Sequence, residues 1–158
     1  MLGKGIMMHT TISEDVKLLV ELRLAYLLDQ NPKERLGDLN LLEQKLYIYF
    51  EKAIRSGELV AVVAQERQEV CAVAMLSVVD RPPRTTEDSC RVGTIYNVYT
   101  CPEYRNRGLA TAVMEILLEE AKKRNVTSVD LLASEQGMHL YEKLGFQYPI
   151  HTYMRKKL

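Results

Sequence analysis

The sequence carries no excess charge of either sign, no paired cysteines and no long apolar run. Lys plus Arg number 21 and Asp plus Glu number 21 among 158 residues, so no overall field draws the chain to nucleic acid or to an anionic membrane. Any charge that matters must act locally. Three cysteines, Cys71, Cys90 and Cys101, are odd in number and scattered. That excludes a disulfide framework and the paired spacing of a zinc site, and suits a reducing, cytoplasmic compartment. His9, His139 and His151 show no metal-ligand spacing, so no metal is expected. Residues 1–10 hold too short an apolar run for a secretion signal, and no later stretch reaches membrane-spanning length. A soluble protein without a membrane partner is expected. Internal repeats, linkers and low-complexity tracts are also missing. With 47% apolar and 27% charged residues, residues 1–158 have the make-up of one globular domain.

The patterning turns from helical to extended along the chain. After a short leader, Ser13 precedes Glu14 and Asp15, and Val16, Leu18, Leu19, Leu22 and Tyr26 recur at near-helical spacing, predicting a helix from about residue 13 to 29. Asn31-Pro32 breaks it. A second helix is expected from near Asp38, with Leu42, Leu46, Tyr49, Phe50 and Ile54 inward, stopping at Gly57. Residues 59–65 and 70–79 are β-branched or small apolar runs around a charged turn and read as a hairpin. A loop through 81–89 leads to a third strand over 92–100.

Residues 108–124 place Ala112, Val113, Ile116, Leu117 and Ala121 on one face and Glu115, Glu119, Lys122 and Lys123 on the other, an amphipathic helix. A short strand at 128–133, a short helix at 136–144 ended by Gly145, and a last strand at 146–154 complete the expectation. The predicted fold class is α/β, a mixed central β-sheet flanked by helices on both faces. A right-handed strand-helix-strand unit spans about 92–133.

The turn between the third strand and the amphipathic helix is the most informative stretch. Gly108 and Ala110 remove side-chain bulk where the free N–H groups of a helix start point outward, and the helix dipole adds partial positive charge there. Arg105 and Arg107 add full charges on rigid donor forks. This is an anion cradle, and not a nucleotide P-loop, whose Gly-x-x-x-x-Gly-Lys-Ser/Thr is absent. The competing reading is a solvated basic turn.

The segment Arg105-Asn106-Arg107-Gly108-Leu109-Ala110 resembles the pyrophosphate-binding motif of the GNAT N-acetyltransferase family, Arg/Gln-x-x-Gly-x-Gly/Ala, and Pro102-Glu103-Tyr104 resembles its usual approach. Leu140-Tyr141 followed by Gly145-Phe146 is similar to the family's C-terminal motif. The resemblance implies a GNAT-like fold and acetyl transfer from acetyl-CoA to the primary amine of a small molecule or peptide. It implies that Arg105, Asn106, Arg107, Gly108, Leu109, Ala110 and Thr111 bind the coenzyme A pyrophosphate, and that the main chain of Val98, Tyr99 and Thr100 binds pantetheine. Ser134 stands where the family often has an Asn that contacts the pantetheine arm. Gly137 stands where it often has Ala.

Tyr141 is the position that implies a proton donor to the departing thiolate, a role its phenol suits because it is protonated at neutral pH. Asn97 is expected to line the acceptor cleft, and Tyr26 belongs to the first helices, which shape the acceptor pocket in the family. Glu135 is a candidate general base, against the simpler reading of an exposed carboxylate at a helix start. The leader departs from the family's usual opening strand. An acyl-CoA-binding regulatory module without turnover is the alternative function. A nucleic-acid role rests only on Arg105, Arg107 and residues 122–124, and the neutral total opposes it. Monomer and homodimer both remain open.

Overall fold

Alternation along the second and third strands decides the architecture. In a computed structural model, which describes residues 6–10, 16–31, 35–66, 69–82 and 90–158, strands β1 (Ile6–Thr10), β2 (Leu59–Glu66), β3 (Glu69–Asp80), β4 (Arg91–Thr100) and β5 (Ser128–Leu131) form one sheet in that order. The first three pairings are antiparallel, and β4 with β5 is parallel. Helices α1 (Val16–Gln30) and α2 (Leu39–Arg55) precede β2; α3 (Leu109–Lys123) joins β4 to β5, and α4 (Met138–Lys143) follows.

Successive strand residues point to opposite faces, so a run apolar at every position must be covered on both. Val60, Val62, Ala64, Ala72, Ala74 and Leu76 pack with Leu109, Val113, Met114 and Leu117 of α3. Leu59, Ala61, Val63, Val73 and Met75 pack with Leu19, Val20 and Leu22 of α1 and Phe50 and Ala53 of α2. The mixed sheet with helices on both faces agrees with the expected fold.

Helix ends follow local chemistry. The Asp38 carboxylate accepts the N–H groups of Asn40 at 2.9 Å and Leu41 at 3.2 Å, starting α2 where the sequence places its cap. Gly57, at φ 74°, ends it. The cap read at Ser13, the break at Pro32, and residues 67–68 and 83–89 of the expected turn and loop lie outside the described residues.

Two expectations are corrected. Residues 6–10 of the leader form the edge strand β1, pairing Ile6 with Glu66 through Thr10 with Val62. Residues 146–154 form no strand. Pro149 has no N–H for a ladder, and the Tyr148 hydroxyl donates to Met138 Sδ at 2.9 Å and lies 3.5 Å from Glu142 Oε1, which holds the chain beside α4. Beyond it Ile150 is 97% exposed.

Candidate active site

The site begins where β4 and β5 part. Their pairing runs from Val92 with Ser128 to Ile95 with Leu131 and stops, while β4 continues to Thr100. The β5-facing main-chain edge of 96–100 is therefore free of that partner.

The other edge of β4 is disturbed at the same place. Tyr96 pairs with Met75 and Tyr99 with Val73, so Asn97 and Val98 together oppose Ala74. This extra residue is a β-bulge, and Asn97 takes φ 53° to make it. Its effect on side-chain direction is visible in the packing. Ile95 faces α3 and Tyr96 faces α1, yet beyond the bulge Val98 faces α3 and Tyr99 faces α1 and α2. Two tyrosines three residues apart thus share one face of the opening.

From Thr100 the chain makes a 3₁₀ turn over Pro102–Tyr104 and enters α3 through two left-handed residues, Asn106 at φ 61° and Gly108 at φ 77°. No side chain caps the helix, which leaves its first N–H groups without an intrahelical partner. An anion placed there gains from these donors and from the helix dipole.

A cleft of about 750 Å³ runs between these features. Of the residues singled out by sequence, Tyr26, Asn97, Val98, Tyr99, Thr100, Arg105, Asn106, Gly108, Leu109, Ala110, Thr111, Ser134 and Tyr141 all line it.

Arg105 is already engaged. Its Nε donates to the Thr100 carbonyl at 3.1 Å, one Nη donates to Asp29 Oδ2 at 3.0 Å, and its guanidinium lies 5.9 Å from the Tyr99 ring centroid. It links the end of α1 to the end of β4 across the cleft.

Two expected site residues fall outside the cleft lining. Arg107 turns back, donating to the Glu103 carbonyl at 3.1 Å, lying over the Tyr104 ring at 5.0 Å and sitting 3.8 Å from Glu66. Its position in the motif fixes its backbone but not its side chain, and Glu66 of β2 competes for it. Glu135 is exposed and does not line the cleft. It is a surface carboxylate at the approach to α4. Among lining residues the carboxylate is Asp29, and Arg105 holds it.

Tyr141 stands half-buried on α4, edge-to-face with Phe146 at 5.9 Å between centroids. Burial, with a smaller contribution from Tyr26, pushes its phenol above its ordinary value of 10.0, so the group is a protonated acid throughout the neutral range. Ser134 Oγ accepts the Gly137 N–H at 3.2 Å. That bond helps to start α4 and leaves the serine proton for a ligand.

Sequence reading missed Arg23. It is half-buried on α1, lines the cleft, and donates to Asn97 Oδ1 at 3.3 Å, with its guanidinium 5.5 Å from the Tyr26 centroid and 5.8 Å from that of Tyr96. The available signal was a lone arginine among Leu22, Leu24 and Ala25, three residues before Tyr26 and hence on the same helical face. Tyr96 was missed too. Burial, and then its 3.2 Å hydroxyl contact with Tyr49, drives its phenol far above the ordinary range.

Known proteins resemble this chain in sequence and fold. A predicted acetyltransferase of Clostridium acetobutylicum, solved with acetyl-CoA, superposes with a TM-score of 0.83 at 31% identity, covering 96% of each chain. A glucosamine 6-phosphate N-acetyltransferase of Trypanosoma brucei brucei is 37% identical over 65 residues, 41% of this chain and 44% of that protein. A ribosomal protein bS18 alanine N-acetyltransferase of Escherichia coli strain K12 is 36% identical over 56 residues, 34% of this chain and 38% of that protein. The chain spans from 25% to 44% of the length of such curated relatives. Residues 22–146 match the family model described as the acetyltransferase (GNAT) family, and by that match, most of its length, the chain belongs to the GNAT acetyltransferases.

Proposed function

We propose that this protein is an N-acetyltransferase that uses acetyl-CoA as cosubstrate and an amine as acceptor, by direct attack of the amine on the thioester. The observation that carries the reading is the continuity of the cleft. It runs from the uncapped start of α3, along the unpaired edge of β4, to the bulge at Asn97.

The residues fit coenzyme A. Donors at Gly108, Leu109, Ala110 and Thr111 suit a pyrophosphate, and open space surrounds the position of a Cβ at Gly108. The main chain of Val98, Tyr99 and Thr100 suits the amides of pantetheine as a further strand would, and the free proton of Ser134 suits one of its oxygens. When bound, acetyl-CoA supplies the activated acyl group.

The chain's own groups do the rest. Main-chain N–H groups at the bulge stabilise negative charge on the carbonyl oxygen. The Tyr141 hydroxyl holds a proton for the sulfur that leaves. No free carboxylate lines the cleft among the described residues, and the amine is proposed to arrive neutral. The free thiols of Cys71, Cys90 and Cys101 support a cytoplasmic setting, and residues 1–158 are proposed to act as one domain.

The relatives named above acetylate a sugar amine and a protein α-amine by their names. A small-molecule or peptide acceptor is accordingly proposed here. The test is thiol release from acetyl-CoA over a panel of amines. Release that depends on the amine supports the transferase, whereas saturable binding without release would make the chain a non-catalytic acyl-CoA-binding module.

A further inference from the structure

Among the described residues the cleft is lined by three charged side chains, Arg23, Asp29 and Arg105. Two of them neutralise each other, at 3.0 Å. Arg23 stands some six residues of helix, roughly 9 Å, further along α1 from that pair. It forms no ion pair among the described residues; its neighbours are two tyrosine rings and the Asn97 amide oxygen. A guanidinium kept half-buried against aromatic faces is partly desolvated and oriented, with donors left over for a planar anion.

Asn97 supplies an independent sign of the same ligand. The residue is only 2% exposed, and its Nδ2 is buried with no hydrogen-bond partner among the described residues. Arginine has no acceptor, so the amide must present oxygen to Arg23 and its NH₂ elsewhere. A buried donor without a partner is costly, and this one belongs to a residue that lines the cleft. An oxygen-rich anion meets both demands at once.

We propose that Arg23 and Asn97 form the binding site for a carboxylate or phosphate carried by the acceptor, which makes the acceptor an anionic amine. The inference rests on the transferase reading. It assigns the pair to the acceptor because the pyrophosphate has its own site at the start of α3, and the bulge at Asn97 lies at the far end of the β4 edge. Arg23 here is a specificity-determining residue that touches the acceptor; it takes no proton and makes no bond.

Matched amines test this with wild type, Arg23→Gln and Arg23→Lys. Amino acids are compared with their carboxamides, and aminoalkyl phosphates with the corresponding amino alcohols, so the two arms separate a carboxylate from a phosphate acceptor. Acetyl-CoA affinity is measured calorimetrically on every variant as a control for folding and for the cofactor site. The expected result is a preference for the anionic member of one pair series of about tenfold or more in kcat/KM. Arg23→Gln abolishes it through acceptor KM, and Arg23→Lys, which keeps charge without the fork, restores part of it. Acetyl-CoA affinity stays within about twofold throughout. Acetyl-CoA binding without a preference for anionic amines, or a preference that survives Arg23→Gln, would overturn this inference alone. Failure of the wild type to bind acetyl-CoA would overturn the transferase reading and this inference with it.

Discussion

Gly137 lies beneath the ring of Tyr141. A Cβ placed on Gly137 would stand 2.8 Å from Cε2, 3.2 Å from Cζ and 3.3 Å from the hydroxyl oxygen. The ring therefore leans over the first turn of α4 into space that any other residue would fill. This gives a specific use to a glycine where the family often has alanine. The atoms displaced are the far end of a flexible side chain, so Gly137→Ala should be absorbed by a small tilt of the phenol and lower kcat by no more than about threefold. Tyr141→Phe should lower kcat by about 10² or more, the usual worth of a positioned acid. Steady-state kinetics with acetyl-CoA affinity measured alongside checks both.

The pH dependence follows from the same phenol. Burial raises it above 10.0, so the protonated, active form predominates up to pH 10, and the midpoint of the alkaline loss it causes lies above that. Rates from pH 7 to 9 should show no descending limb that Tyr141→Phe removes. On the ascending side, no free carboxylate lines the cleft among the described residues. The rise of kcat/KM with pH should therefore track the acceptor's own amine. An α-amine, with a pKa of about 7.7–8.0, should rise roughly two and a half units below an ε-amine of about 10.4. A common limb for both acceptors would reveal a base on the protein.

The sheet offers a test of packing. A Cβ at Gly93 would lie 2.5 Å from Leu76 Cδ1 and 3.2 Å from Val129 Cγ1, with Leu76 fully buried. Gly93→Ala should destabilise by about 1–3 kcal/mol through overpacking, read by urea unfolding. It should leave acetyl-CoA binding to the folded fraction intact, since the strain sits at the paired end of β4 and away from the bulge.

Helices and central strands were legible because their signals are local. The amphipathic spacing of α3, the Asp38 cap and the apolar runs of β2 and β3 each specify an element within a few residues. The anion cradle was legible for the same reason, since a basic Gly-containing turn before a helix states its chemistry in one short stretch. What escaped depends on distant partners. Residues 6–10 become a strand only by pairing with β2. Residues 146–154 looked like a strand, yet Pro149 and the Tyr148 contacts with α4 keep them out of the sheet. Arg107 turns to the Glu103 carbonyl and the Tyr104 ring, with Glu66, 41 positions earlier, 3.8 Å away, and the role of Arg23 appears only once α1 crosses Asn97. The bulge has no signature of its own beyond an Asn, a residue that tolerates left-handed backbone.

The central claim is that the start of α3 and the open edge of β4 bind acetyl-CoA. Calorimetric titration of wild type and Gly108→Glu with acetyl-CoA tests it most directly. Gly108 has φ 77° with open space around it, so the glutamate costs about 1–2 kcal/mol of backbone strain and places a negative charge among the helix N–H donors. The account predicts saturable binding of one acetyl-CoA by the wild type and none by the folded variant. Equal binding by both, or no binding by the wild type, would contradict it.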